Sequence, residues 1–180
     1  MKGFEAVLKE FANETTLAAK RNLGSRKIGK NRTYGVASRG LQKSLTFDIK
    51  GGSVSFGSPV AYAGFVHWGV NGTQRNHGSP YSYTTKQPPI DPILKWMRAK
   101  PVRLRDKGGQ FVEQTESRMR SAAFNIARAI KRNGMPGVKY WTEAYETIFP
   151  KYAKKLAEAQ AEDFALELKA KIGTITLTAK

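Results

Sequence analysis

The sequence predicts an α+β fold, in which a small, mostly antiparallel β-sheet is packed by an N-terminal helix, a central helix and a long C-terminal helix, with long extended loops between them. Apolar residues recur at helical spacing near both ends of the chain, and they alternate with polar residues between positions 45 and 56. Clusters of glycine and proline separate these segments. A chain of 180 residues, of which 40% are hydrophobic, suits a single domain over 1–180 with its own core.

Charge is the strongest global property of the chain. Its 31 Lys and Arg against 14 Asp and Glu give a formal net charge of +17, which attracts polyanions. Nucleic acid and acidic protein neighbours in an assembly are both open as the partner. There is no cysteine, and no apolar run approaches the roughly 18 residues of a membrane span. Disulfides and thiolate chemistry are therefore excluded, and we expect no membrane partner.

The first helix is predicted over residues 4–23, where Phe4, Leu8 and Phe11 recur at helical spacing. Residues 22–40 then hold four glycines and no acid, which predicts a flexible basic loop. Such a loop either contacts a phosphate backbone or an acidic partner, or is a solvated charged segment. The candidate contact residues are Arg26, Lys27, Lys30, Arg32 and Arg39.

A hairpin is predicted next, because Leu45, Phe47 and Ile49 alternate with polar residues and Gly51-Gly52 makes a two-residue turn. The alternation resumes at Val54 and Phe56, so the apolar set shares one face towards the core.

The segment that follows, YAGFVHWG at 62–69, is too short to assign to a helix or a strand. Its aromatic residues Tyr62, Phe65 and Trp68 belong either to the core or to a subunit interface, where Trp and Tyr concentrate. The long polar loop over 70–89 is expected to bind something or to reach out of the domain. Its Tyr81 and Tyr83 are counted with the candidate interface residues.

The second half is predicted to be mainly helical. Asp91-Pro92 favours the start of a short helix, and residues 102–112 are a candidate second hairpin. The central helix has two faces and ends at Gly134, which favours the left-handed conformation. Its apolar stripe consists of Ala123, Ile126, Ala127 and Ile130, and its basic stripe of Arg120, Arg128, Lys131 and Arg132.

We then expect a short aromatic helix over 139–147 and a separate long helix that begins at Pro150. A strand near the C-terminus, within 149–180, is expected to follow it. Trp141 either seals the domain or docks on a neighbour. Glu158, Glu162, Asp163 and Glu167 form an acidic surface on the last helix. We expect this surface to meet a basic loop of an adjacent copy through Glu158, Glu162 and Glu167.

No catalytic constellation is visible. His67 and His77 are the only histidines, with no acid between them, and there is no phosphate-binding glycine motif. We expect His67 to be a packed, hydrogen-bonded residue. The sequence thus predicts no catalytic residue, no metal ligand and no cofactor, and a protein that is not an enzyme; a metal-dependent nuclease with ligands assembled only in the tertiary structure is the open alternative.

The order of these elements resembles tailed-bacteriophage neck proteins, specifically the tail-completion or head–tail connector family. That family carries a Tyr-Ala-x-x-Val-Glu-aromatic-Gly segment after the hairpin and an Ile-Ala-Arg helix followed by Gly-x-Pro-Gly and an aromatic residue. The first segment is matched by Tyr62, Ala63, Val66, Trp68 and Gly69, with His67 in place of the acid. The second is matched by Ile126, Ala127, Arg128, Gly134, Pro136, Gly137 and Trp141, and the similarity spans 41–144.

The resemblance implies a structural virion protein that is made in the host cytoplasm. It would form a ring of six copies at the head–tail junction, between a portal-side or head-completion protein and the tail tube or tail terminator, and let DNA pass with non-specific contact. A tail-terminator ring and a sequence-independent DNA-binding protein outside any virion are the alternatives.

Overall fold

A computed structural model describes residues 2–25, 27–28, 32–33, 40–99 and 102–172. The α+β class predicted from the sequence is confirmed: helices dominate, and the described strands form antiparallel two-stranded ladders. In chain order the elements are α1 (Lys2–Ser25), β1 (Lys27–Ile28), β2 (Arg32–Thr33), α2 (Gly40–Ser44), β3 (Thr46–Lys50), β4 (Ser53–Gly57), α3 (Ala63–Trp68), β5 (Gly69–Val70), α4 (Ile90–Ala99), α5 (Glu116–Asn133), β6 (Met135–Pro136) and α6 (Tyr140–Ile172).

The chain groups into two compact units, where the sequence predicts a single domain. The terminal unit consists of Met1–Ala61 and Lys139–Lys180, and the middle unit of Tyr62–Val138. Each unit has its own buried cluster.

The terminal unit is built on the packing of α1 against α6. Ala12, Ala19 and Ala144 are fully buried, so these small side chains bring the neighbouring backbones close together. Phe11, only 2% exposed, is the aromatic centre of this unit. Its ring lies 5.8–6.2 Å from four others, most of them edge-to-face: Phe56, Tyr145, Phe149 and Tyr152.

The hairpin β3–β4 forms as predicted, with Phe47 paired to Phe56 and Ile49 paired to Val54. Gly51 and Gly52 have φ values of 57° and 75°, the positive values that a type I′ turn requires. The apolar side chains are half-buried and the residues between them are exposed, so the period-two pattern is confirmed.

The C-terminal helix differs from the prediction. The short aromatic helix and the helix expected to open at Pro150 are one continuous helix, α6, with Pro150 inside it. A proline in a helix interior removes a hydrogen bond and crowds the preceding turn. Here Tyr145 and Phe149 before the proline and Tyr152 after it all pack on Phe11, which holds both segments in one line.

The middle unit packs α4 against α5 through Leu94, Met97, Met119 and Ala123, all buried. The second hairpin predicted over 102–112 forms as a short one: Arg105 and Phe111 make an antiparallel bridge, and the N–H groups of Asp106 and Val112 donate across it to the carbonyls of Gln110 at 2.9 Å and Leu104 at 3.1 Å. Its weakly apolar sequence leaves little to bury, which keeps the paired stretch short.

The basic loop predicted over 22–40 is shorter in the structure. Helix α1 continues to Ser25, and Lys27–Ile28 pairs with Arg32–Thr33. A tertiary contact stabilises this last part of α1: the side chain of Asn22 donates a 3.4 Å hydrogen bond to the Tyr140 carbonyl. The remainder of that loop up to residue 39 and the strand predicted after residue 173 lie outside the described residues.

The N-terminus of α1 is capped from across the fold. Asp163 of α6 accepts hydrogen bonds from the backbone N–H groups of Phe4 at 3.0 Å and Gly3 at 3.3 Å. These are donors that a first helical turn leaves without partners inside the helix. The bond from Phe4, assisted by that from Gly3, holds the pKa of Asp163 below its ordinary value of 3.8.

Replacing Phe11 with Ala should lower the free energy of unfolding by about 3–5 kcal/mol, because it opens a cavity among four aromatic rings. Leu17→Ala is the matched control on the same helix; Leu17 is 53% exposed, so its loss should stay within about 0.5 kcal/mol. Urea denaturation followed by circular dichroism measures both. Equal losses for the two variants would contradict the packing described here.

The Asp163 cap should make stability depend on pH. A carboxyl whose pKa falls on folding stabilises the protein above its unfolded pKa, and this contribution disappears as pH falls through the lowered folded value. Wild type should therefore be more stable than Asp163→Ala at neutral pH, and the difference should shrink below pH 3.8. Thermal unfolding of both proteins across this range measures the effect. A difference that is constant with pH would rule out the cap.

Candidate functional site

Two segments cross in the middle unit, one after α3 and one after α5. Gly69 pairs with Pro136 and Val70 with Met135 in the β5–β6 ladder. The N–H of Val138 extends this contact by donating to the carbonyl of Val66 at 2.9 Å. The crossing therefore connects the carboxyl ends of two helices that lie far apart in the sequence.

Two glycines set how closely the backbones approach. A Cβ on Gly134 would overlap the carbonyl oxygen of Val70, and one on Gly72 would overlap the N–H of Gly134. Gly134 also has a φ of +64° with an extended ψ of −164°, a conformation open essentially to glycine alone, in place of the left-handed helical one predicted for the end of α5. Larger residues at either position would push the loop away from the helix end.

The loop over 71–89 folds back and covers the carboxyl end of α5. The N–H groups of Thr73 and Gln74 donate to the carbonyls of Lys131 at 2.9 Å and Arg132 at 2.8 Å. The ring Nε2 of His77 lies 2.9 Å from the Asn133 carbonyl, so this nitrogen carries the proton. Three carbonyls that a helix leaves without partners are thus satisfied by the loop.

Asn71 holds the loop in this conformation. Its side-chain oxygen accepts from the N–H groups of His77 at 2.8 Å and Ser79 at 3.2 Å, and its amide nitrogen donates to the Ser79 carbonyl at 2.6 Å. Buried Ser79 in turn donates from Oγ to the Gly69 carbonyl at 2.6 Å. Along this stretch the loop therefore folds back on its own unit and does not reach out of it, while the expectation that it binds something stays a prediction.

The aromatic residues of α3 and its N-terminal neighbour face solvent. Tyr62 is 48% exposed, Phe65 38% and Trp68 42%, so the core interpretation of this group is wrong. Helical spacing places the three on one side, while His67 points inward and is 6% exposed, packed as predicted, with its ring edge-on to Trp68 at 4.6 Å.

The long loop adds a further ring to this exposed group, which we call the aromatic surface. The Tyr81 ring lies 4.2 Å from that of Phe65, in a tilted contact. Tyr83 is half-buried, and its N–H donates to the Asn71 carbonyl at 3.1 Å. Loop and helix therefore present one surface of Tyr62, Phe65, Trp68 and Tyr81.

Helix α5 has the two faces that the sequence predicts. Ala123 and Ala127 are fully buried, whereas Arg120, Arg128 and Arg132 are exposed. Where α5 meets the loop there is a depression of about 380 Å³. We call it the basic depression, and it is lined by Thr73, Asn125, Arg128, Ala129, Lys131 and Arg132.

The remaining predicted site residues lie in the terminal unit. Trp141 is half-buried with its ring 5.1 Å from that of Phe56, which fits the sealing role. Glu158 and Glu167 pair with lysines of their own helix, Lys154 at 3.7 Å and Lys171 at 3.0 Å, while Glu162 is exposed.

The candidate contact residues of the basic loop lie mostly outside the described residues. Arg26, Lys30 and Arg39 lie outside the described residues, and Lys27 and Arg32 are described only as strand positions in β1 and β2.

The residues that organise the site, Asn71 and Ser79 above all, are not identifiable from sequence spacing. Asn in a loop that follows a short apolar segment is a local turn signal, but its partners lie six to eight residues further on. Among the described residues, no group of three or more metal-ligating side chains converges, and no helix is long and apolar enough to span a membrane.

Comparison with known proteins adds no relative. No protein-family model, no curated protein and no solved structure matches the chain. The aromatic surface, the basic depression and the sequence motifs are therefore what indicate a function for this chain.

Gly134→Ala should destabilise the protein much more than Gly78→Ala. Both glycines have positive φ values, 64° and 67°, so both substitutions carry a conformational cost of about 1–2 kcal/mol. Only at Gly134 would the new methyl group also overlap backbone atoms, since nothing lies within 4 Å at Gly78. The difference between the two variants, measured by urea denaturation, should exceed about 1 kcal/mol. Equal effects would show that the crossing is not tightly constrained.

Proposed function

We propose that this chain is a structural protein of a tailed-bacteriophage virion that assembles into a ring, of six copies, in the neck. The ring joins the portal or head-completion side to the tail tube or tail terminator and lets DNA pass. The proposal assigns no reaction, metal or cofactor to the chain. Its place of action is the head–tail junction, after synthesis in the host cytoplasm.

The observation that carries the proposal is the meeting of the two segments on which the family resemblance depends. Residues 62–69 and 134–138 are far apart in the sequence, yet they form the backbone crossing of the middle unit. Gly69 and Gly137 belong to the two motifs, and a Cβ on either would overlap backbone atoms of the opposite segment. Both motif glycines are thus required by the same close approach of two backbones. This supports the view that the resemblance to the neck-protein family reflects a common fold element and not a chance match of sequence.

The aromatic surface supports an assembly role. Trp and Tyr are enriched among the residues that dominate binding energy in protein interfaces. Tyr62 and Trp68 stay more than 40% exposed, although the neighbouring His67 is buried. This arrangement suits a surface that a neighbouring protein covers.

A closed ring requires a second, different patch on each copy. The end of α6 offers one, because Phe164, Leu168 and Ile172 recur every four residues and are 61%, 42% and 62% exposed. Phe164 also lines a groove of about 510 Å³ together with Phe4 and Ala161. The acidic contact expected nearby is weakened by the lysine partners of Glu158 and Glu167, so apolar packing is the better-supported interaction for this patch.

The proposal predicts that Trp68→Ser impairs ring assembly and Trp96→Ser does not. Both tryptophans lie in the middle unit and are 42% and 43% exposed, so the control matches the change in size, polarity and exposure. Loss of an interface tryptophan costs about 2 kcal/mol or more, which is roughly a 30-fold weaker association. Analytical ultracentrifugation gives the oligomeric state, and electron microscopy with portal and tail components gives the position of the ring.

Two results would count against the proposal. One is a chain that stays monomeric and binds no neck component at any concentration tested. The other is equal assembly of the wild type and Trp68→Ser, which would remove the aromatic surface from the interface.

A further inference from the structure

The positive charge of the middle unit is unevenly distributed. Tyr62–Val138 contains 13 Lys and Arg against 4 Asp and Glu, a net charge of +9. All four acids lie between positions 91 and 116, so neither the long loop nor α5 beyond its first residue contains one. One end of α5 is therefore strongly basic without local compensation.

The ion pairs follow the same division. Near the start of α5, Glu116 pairs with Arg98 at 2.6 Å, and Asp91 lies 3.9 Å from Arg120. At the other end of α5, no described carboxylate pairs with Arg128, Lys131 or Arg132. Lys131 instead donates to the carbonyl of Thr85 at 3.3 Å, which fixes its ammonium beside the loop.

A role in helix stability accounts for only part of this charge. Lys131 and Arg132 lie in the last turn of α5, where cations complement the helix dipole by about 0.3–1 kcal/mol each. Arg128 lies one turn earlier, outside the reach of that effect. The dipole also does not explain why the three cations line one concave surface with the polar side chains of Thr73 and Asn125.

We propose that the basic depression binds the phosphate groups of a nucleic-acid backbone without regard to sequence. Arg128 and Arg132 are four residues apart, so their Cβ atoms lie about 5–6 Å apart and both guanidinium groups can reach the same strand. A guanidinium matches a phosphate with two parallel hydrogen bonds. Asn and Thr side chains are also common donors to phosphate oxygens.

The lining favours nucleic acid over an acidic protein. Ala129 is the one apolar residue among the six that line the depression. The buried centre of a protein–protein interface is rich in apolar and aromatic side chains, whereas protein–DNA interfaces are polar and strongly positive. The aromatic surface has the composition of a protein–protein interface, and the basic depression has that of a protein–DNA interface.

This inference deepens the proposed function, since DNA passes through a neck ring, but its test does not need the ring. The full chain is titrated against a short DNA duplex of mixed sequence, with fluorescence anisotropy recorded over a range of salt concentrations. Each phosphate contact contributes about 0.9 to the slope of log K against log salt. Arg128→Gln with Arg132→Gln should therefore lower the slope by about 1.8 and weaken binding by roughly 60-fold at about 0.1 M salt.

The matched control is Lys95→Gln with Lys107→Gln, which removes two exposed charges from the same unit outside the depression. It should change the slope by less than half as much. Equal losses in both double variants would show that diffuse charge, not a site, binds the DNA. Absence of DNA binding by the wild type would also overturn the inference.

Polyglutamate is the second probe. If it binds as tightly as DNA and with the same dependence on Arg128 and Arg132, the ligand is an acidic protein and the nucleic-acid assignment is wrong. The assembly test with Trp68→Ser is independent of these results, so a ring that forms without DNA binding would overturn this inference alone. DNA binding by a chain that never assembles would instead leave it standing and overturn the proposed ring.

Discussion

The close approach of two backbone segments, at Gly72 and Gly134, is the constraint on which the middle unit depends. Hydrogen bonds between main chains require separations that a Cβ at either position would prevent. With the glycines in place, the loop donates to the last carbonyls of α5 at 2.8–2.9 Å. These bonds satisfy the helix end and fix the loop, so one contact organises both the scaffold and the surfaces on it.

Both candidate surfaces derive their geometry from this crossing. Tyr81 contacts Phe65 because Asn71 and Ser79 turn the loop back along α3. On the other side, Thr73 lines the basic depression because its N–H is bonded to the carbonyl of Lys131. Binding residues on a loop can be positioned accurately when the loop is held by a rigid framework. A surface built in this way is preorganised, which lowers the entropic cost of binding.

How much the sequence could predict depended on how local the signals were. The β3–β4 hairpin and the two faces of α5 follow from residue spacing within one element, and both were predicted. The continuity of α6 was not, because Pro150 is a strong local signal that packing on Phe11 overrides. The cap on α1 was equally hidden, since Asp163 lies 159 residues from Phe4. The conformation of the loop over 71–89 was hidden as well, because it depends on contacts with residues of α5 more than fifty positions away in the sequence.

The aromatic surface is the part of the middle unit that stability alone explains least. Burying a tryptophan is worth more than burying a histidine, whose polar ring requires hydrogen-bonding partners once it leaves water. On α3 the order is reversed: His67 is buried and Trp68 remains 42% exposed. A fold selected only to be stable would favour the opposite placement at these adjacent positions. Covering the exposed rings with another protein would bury their remaining apolar area, so their placement supports the assembly role proposed for this surface.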